Sequence, residues 1–141
     1  MTYQDLFGDL MDGADIVSAY VERDAKDAPK DLAGWLQKTA KEASMPITKA
    51  QASEVAASLA VFVLAYAWAD KAAANAGGEG EREHGDDCVR VVAKRTNQYR
   101  TVWTIFHPVQ YKKIFTATSI VEAVRHIVVA REQVAAERAQ A

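Results

Sequence analysis

Apolar positions recur at helical spacing through the first half of the chain and alternate more closely in part of the second. Tyr3, Leu6, Phe7 and Leu10 form one stripe, with Thr2 placed to cap it and Gly13 to interrupt it, and Ile16, Val17, Tyr20 and Val21 form another. Leu32, Trp35, Leu36 and Ala40 predict a third helix with Asp27 or Asp31 as N-cap, ending near Met45, because Pro46 disfavours helical geometry in the residue before it. Thr48 and Gln51 then make a capping-box pair, each side chain satisfying a free backbone donor of the other. The helix they open is expected to reach Gly77 and Gly78, where glycine can take the left-handed geometry that ends a helix. From Val55 to Ala69 only Ser58 is polar, so this helix is expected to be buried on every side, by its own chain or by a second copy. The run is shorter than the about 20 residues a membrane span needs, and Glu54 and Asp70 close it. No membrane segment is expected.

The segment GGEGEREHGDD, residues 77–87, breaks the pattern. It is acidic and glycine-rich with no apolar side chain, which predicts an exposed loop. CVRVVAK then alternates, and YRTVWTIF is dense in β-branched and aromatic residues, which favours a β-hairpin with its turn at Thr96-Asn97-Gln98. A helical alternative exists, because Val89, Val92, Tyr99, Val102, Trp103 and Phe106 also share a helical face. Pro108 breaks the run, and YKKIFTAT offers a third strand. Ser119 and Glu122 make a second capping box, opening a helix with the stripe Ile120, Val121, Val124, Ile127 and Val128. Arg131 falls on that stripe, so the core is expected to end near residue 130 and the tail to project or to pair with another chain.

The fold class is therefore α+β: about four N-terminal helices, a short antiparallel hairpin or three-stranded sheet, and a long C-terminal helix. One domain over 1–141 is expected, with a helical portion at 1–76, the acidic loop at 77–87, and hairpin plus helix at 88–141. Core candidates are Trp35, Val55, Leu59, Phe62, Leu64, Trp68, Trp103, Val124 and Ile127.

Composition agrees with a globular chain: 141 residues, 50% apolar and 26% charged, enough for one sizeable core. Cys88 is the only cysteine, which excludes an internal disulfide and suits a reducing cytoplasm. The start, MTYQDLFGDL, is acidic and amphipathic, unlike a secretory leader.

Charge changes the picture more. The net charge of −2 conceals an uneven distribution: residues 1–70 hold eleven acids and six bases, and residues 71–87 five acids and two bases. Residues 88–115 hold six Lys or Arg and no acid. A one-signed segment raises the local potential and attracts anionic partners even when the whole molecule is near neutral.

Enzyme signatures are missing from the sequence: no phosphate loop, dinucleotide fingerprint, nucleophile elbow or HExxH. His84, His107 and His126 are dispersed. Glu122 and His126 stand four apart but opposite the apolar stripe, as a solvated pair would. His84 and Cys88 share that spacing with Gly85 between them and no second ligand pair, which is too few ligands for zinc. Asp5, Asp9, Asp12 and Asp15 lack calcium-loop spacing and are expected to form a solvated acidic face. The expectation is a non-enzymatic protein without metal or cofactor.

In alternating strands Arg90, Val92 and Lys94 share a face, and Arg100, Val102, Thr104 and Phe106 share another. If the two strands pair, Arg90, Lys94 and Arg100 come together, with Lys112 and Lys113 nearby. The candidate contact residues are Arg90, Lys94, Arg95, Arg100, Lys112 and Lys113, with Tyr99 and Tyr111 as aromatics able to stack on bases. Nucleic acid is the first expected partner. The alternative is a homodimeric protein–protein module, an adaptor or inhibitor that docks an acidic protein. A plainer account also stands, in which the aromatics form core and the bases solvate the outer face of the sheet.

TAKEASMPITKAQASEVAASL resembles the first helix, turn and second helix of bacterial HU-type histone-like DNA-binding proteins, with Thr48-Lys49-Ala50-Gln51 entering the second helix. The resemblance covers about 20 of 141 residues and implies a helix pair leading to a basic β-arm. The glycine-phenylalanine-glycine start of that family's sheet and its arginine-asparagine-proline arm tip have no counterpart in this chain.

Overall fold

The computed structural model describes residues 1–23, 31–76, 84–86, 88–97 and 100–140. The order of elements is α1 (Tyr3–Phe7), α2 (Gly13–Val21), α3 (Leu32–Glu42), α4 (Lys49–Ser58), α5 (Ala60–Ala74), β1 (His84–Asp86), β2 (Val89–Asn97), β3 (Arg100–Phe106), β4 (Lys113–Ala117) and α6 (Ile120–Ala139). The chain divides into two compact units, Met1–Val63 and Leu64–Ala141, and the division falls within α5. The α+β architecture is as expected: a helical N-terminal part, an antiparallel sheet and a long C-terminal helix.

In the first unit side-chain caps set the helix starts. The Thr2 hydroxyl accepts from the Asp5 N–H, while the Asp5 carboxylate accepts from the Thr2 backbone N–H at 2.8 Å. That backbone bond, reinforced by the Thr2 hydroxyl, holds the Asp5 carboxyl below its ordinary range. Asp12 and Asp15 repeat the arrangement at α2, so three of the four aspartates expected to form a solvated acidic face work as helix caps. Asp31 caps α3; Asp27 lies outside the described residues. Thr48 and Gln51 form the predicted reciprocal pair. Ile16, Val17, Leu36, Val55 and Leu59 are fully buried among the smaller Ala14, Ala40 and Ala52.

The helix expected to run from Thr48 to Gly77 is two helices, parted at Leu59. Ser58, the one polar residue of the run, is the cause. Its hydroxyl donates to the Val55 carbonyl at 2.7 Å and accepts the Tyr3 N–H at 3.0 Å, and the Leu59 N–H turns to Ala56 and Ala57. A serine that bonds back to its own helix competes with the backbone ladder and bends it. The expectation of burial on every side is also corrected. Ala65, Ala69 and Ala72 are buried, whereas Val63 and the core candidate Leu64 are 43% and 39% exposed. Trp35, Phe62 and Trp68 are half-buried. Among the described residues no single helix is long and apolar enough to cross a membrane; α4 and α5 reach that length only as a bent pair.

Gly13 opens α2 because a ring lies against its backbone. A Cβ there would stand 2.3 Å from two carbons of the Phe62 ring and 2.6 Å from Cγ, at the root of the side chain. Phe62 in turn meets Tyr3 edge to face at 5.6 Å. Gly13→Ala, which favours a helix elsewhere, is therefore expected to destabilise by about 1–3 kcal/mol through overpacking. In urea unfolding, most of that loss should disappear when Phe62→Leu is present as well, and additive losses would show that the ring is not the cause.

In the second unit the sheet order is β1-β2-β3-β4, all antiparallel. The β-hairpin reading of 89–106 prevails over the helical one, and β4 supplies the third strand. His84–Asp86 lie in a strand rather than in the predicted loop; residues 77–83 and 87 are outside the described residues. β2 ends at Asn97 and β3 starts at Arg100. Gln98, the last residue of the predicted turn, is also outside the described residues. One face holds Val89, Val91, Ala93, Trp103, Ile105 and Ala117, all buried, and against it packs α6 with Val124, Ile127 and Val128. Alternation explains the division, since successive side chains of a strand point to opposite faces. The core continues past residue 130 to Val134, because Arg131 does not enter it: its guanidinium lies over the Trp68 ring at 5.5 Å.

Candidate nucleic-acid interface

The outer face of the sheet follows from the strand register. Arg90 stands opposite Phe106, Val92 opposite Thr104 and Lys94 opposite Val102, and residues opposite one another share a face. Arg100, two residues before Val102, follows the same alternation. Lys94 and Arg100 are exposed, and Arg90 is half-buried. Three of the predicted contact residues therefore come together, with no acid among the residues paired with them. Over four residues of β2, Arg90 and Lys94 are separated by about 13 Å.

The other predicted residues are placed differently. Arg95 pairs with Thr101, on the opposite alternation, and its guanidinium reaches the Ala73 carbonyl at 3.5 Å in the last turn of α5. The Ala73 carbonyl also accepts the Ala76 N–H at 3.2 Å, and a cation there complements the helix dipole. Lys112 and Lys113 line a separate hollow of about 310 Å³ with Gln110 of the preceding turn and Gln133 and Glu137 of α6. A bulge lies beside them: Ile105 pairs with Phe115 but Phe106 with Lys113, so the register slips by a residue. Tyr99 lies outside the described residues.

Tyr111 is brought to the outer face. It lines a hollow of about 140 Å³ with Arg90, Val92 and Phe106, and it is 59% exposed at a φ of 52°. The turn that presents it is closed by hydrogen bonds from the His107 N–H to the Lys112 carbonyl, 2.8 Å, and from the Tyr111 N–H to the His107 carbonyl, 3.0 Å. Inside the turn His107 Nδ1 accepts the N–H groups of Val109 and Gln110, both at 3.2 Å. A ring nitrogen that accepts leaves the proton on the other, so Nε2 donates to the Glu137 carboxylate at 3.1 Å. His107 thereby ties the turn carrying Tyr111 to α6. Sequence reasoning missed this role; the only local signal was a histidine next to Pro108.

His126, expected to be an ordinary solvated partner of Glu122, stacks on Phe115 with ring centres 4.5 Å apart, while Glu122 approaches its Nε2 at 3.4 Å. Ser119 caps α6 through its hydroxyl, and the Glu122 carboxylate turns to His126 instead of completing the predicted box. Among the described residues no group of three or more His, Cys, Asp or Glu could hold a metal ion.

Comparison with protein-family models, curated proteins and solved structures found no match. The HU-like stretch forms a helix–turn–helix pair, α3 and α4, but α5 and not a β-arm follows it.

Proposed function

We propose that this is a small non-enzymatic binding protein whose outer sheet face engages nucleic acid, with Arg90, Lys94 and Arg100 neutralising phosphates. One observation carries the reading: the register of β2 and β3 sets Arg90 and Lys94 on the face of Val92, Val102, Thr104 and Phe106, which Arg100 joins by the alternation of β3 across a bulge that pairs it with Asn97. Among the described residues, none of the cross-strand partners of these bases is an acid, and a patch of one sign attracts an external anion. Phosphate contacts supply most sequence-independent affinity for nucleic acid by releasing counterions.

Salt dependence tests it. If three phosphates are neutralised, affinity for a fluorescein-labelled oligonucleotide should fall roughly 20- to 40-fold between about 50 and 200 mM salt. Fluorescence anisotropy measures this directly. Absence of binding at about 50 mM salt, where the counterion contribution is large, would reject nucleic acid. It would leave an acidic protein as the ligand of the same bases, a partner that the chain's own net charge of −2 favours.

A further inference from the structure

We propose that the outer sheet face is selective for single strands and takes one unpaired base into the hollow bounded by Arg90, Phe106 and Tyr111, an inference that rests on the nucleic-acid reading above. The hollow measures about 140 Å³, close to the roughly 150 Å³ that admits a benzene ring in a protein interior. Its walls are mostly apolar: the side chain of Val92, the half-buried Phe106 and the exposed ring of Tyr111. Arg90 bounds it too, and among the described residues its Nε is buried without a hydrogen-bond partner. Buried donors without partners are rare, and the cost of leaving them so is relieved when an acceptor arrives.

Together these features define the ligand. A phosphate would exchange a full hydration shell for the apolar surface of Val92, Phe106 and Tyr111, which is unfavourable. A flat, uncharged ring stacks on the aromatics with its polar edge toward Arg90, and a nucleobase is such a ring. In a duplex each base is stacked on both sides and its pairing edge is occupied, so only an unpaired base can turn into the hollow. The phosphates on either side then lie on the face that displays Lys94 and Arg100. The Tyr111 backbone is set beforehand, because the closed turn and the link from His107 to Glu137 maintain its left-handed conformation.

The experiment compares a fluorescein-labelled mixed-sequence DNA single strand with its duplex on the full chain, using Tyr111→Asn and Lys94→Ala as variants. Asparagine tolerates the left-handed backbone at 111, so the first variant removes the ring without disturbing the turn. At about 50 mM salt the single strand should bind at least roughly tenfold more tightly than the duplex, and Tyr111→Asn should weaken single-strand binding about tenfold. That loss should leave the slope of log affinity against log salt unchanged, since no phosphate contact is removed. Lys94→Ala should instead reduce the slope by about 0.7. Equal affinity for the two forms, or full single-strand affinity in Tyr111→Asn, overturns the inference and leaves the phosphate contacts standing. Binding of neither form overturns the inference together with the function on which it rests.

Discussion

Substituting Arg90→Gln, Lys94→Ala and Arg100→Ala together is expected to lower nucleic-acid affinity by a factor on the order of 100 to 1,000 at about 50 mM salt, and to flatten its salt dependence by about two in log–log slope for a single strand. The two effects have one origin. Each phosphate neutralised releases condensed counterions, so three lost contacts remove both the affinity and its sensitivity to salt. Glutamine is preferred at 90 because Arg90 is half-buried beside Val92 and Phe106; it keeps the first methylenes of the stem, which cover apolar surface. Lys94 and Arg100 are exposed, and such positions usually tolerate substitution within about 0.5 kcal/mol. Circular dichroism should therefore give an unchanged spectrum, with a melting temperature near that of the parent. Arg95→Ala is the internal comparison: its guanidinium meets the Ala73 carbonyl and lies off this face, so its loss should cost little affinity. If the triple variant binds as well as the parent, the outer face is not the interface.

Alternation made this face legible in the sequence. Val89, Val91 and Ala93 alternate with Arg90, Val92 and Lys94, and a strand places such sets on opposite sides without help from distant residues. The caps at Thr2, Asp31, Thr48 and Ser119 were equally local, each an interaction over three residues. What was not legible depended on groups far away in sequence. Ser58 breaks the long apolar helix partly by receiving the N–H of Tyr3, 55 residues earlier. His107 fixes the turn under Tyr111 through Glu137, 30 residues later. The slip between Ile105 and Phe106 sets Lys113 opposite Phe106, and nothing in the composition of β4 marks it. Arg131 looked like the end of the core because an unpaired buried guanidinium is costly. Its place over the Trp68 ring gives it a partner in α5, and Val134 is buried beyond it.

Trp103→Ala should be among the most damaging single substitutions in the second unit. Trp103 is 6% exposed and stands in register with Ala93 on one neighbouring strand and Ala117 on the other. Two small side chains thus leave the room that the indole fills, and neither can grow into the space its removal would open. The indole also makes a buried bond, with Nε1 donating to the Ala69 carbonyl of α5 at 2.9 Å. Truncation to alanine creates a cavity and removes the indole's bond to that carbonyl, for an expected loss of about 3–5 kcal/mol, a large part of the about 5–15 kcal/mol that typically holds a domain together. Trp103→Phe separates the two contributions, because it keeps much of the ring and removes the donor. It should cost about 1–3 kcal/mol, the lost hydrogen bond plus a smaller void. Urea unfolding followed by circular dichroism measures both. Because Val102 and Thr104 flank Trp103 on the strand and point outward, the phenylalanine variant should still bind nucleic acid normally while it remains folded. Equal losses for the two variants would mean that the bond to Ala69, and not the volume between the alanines, gives the indole its importance.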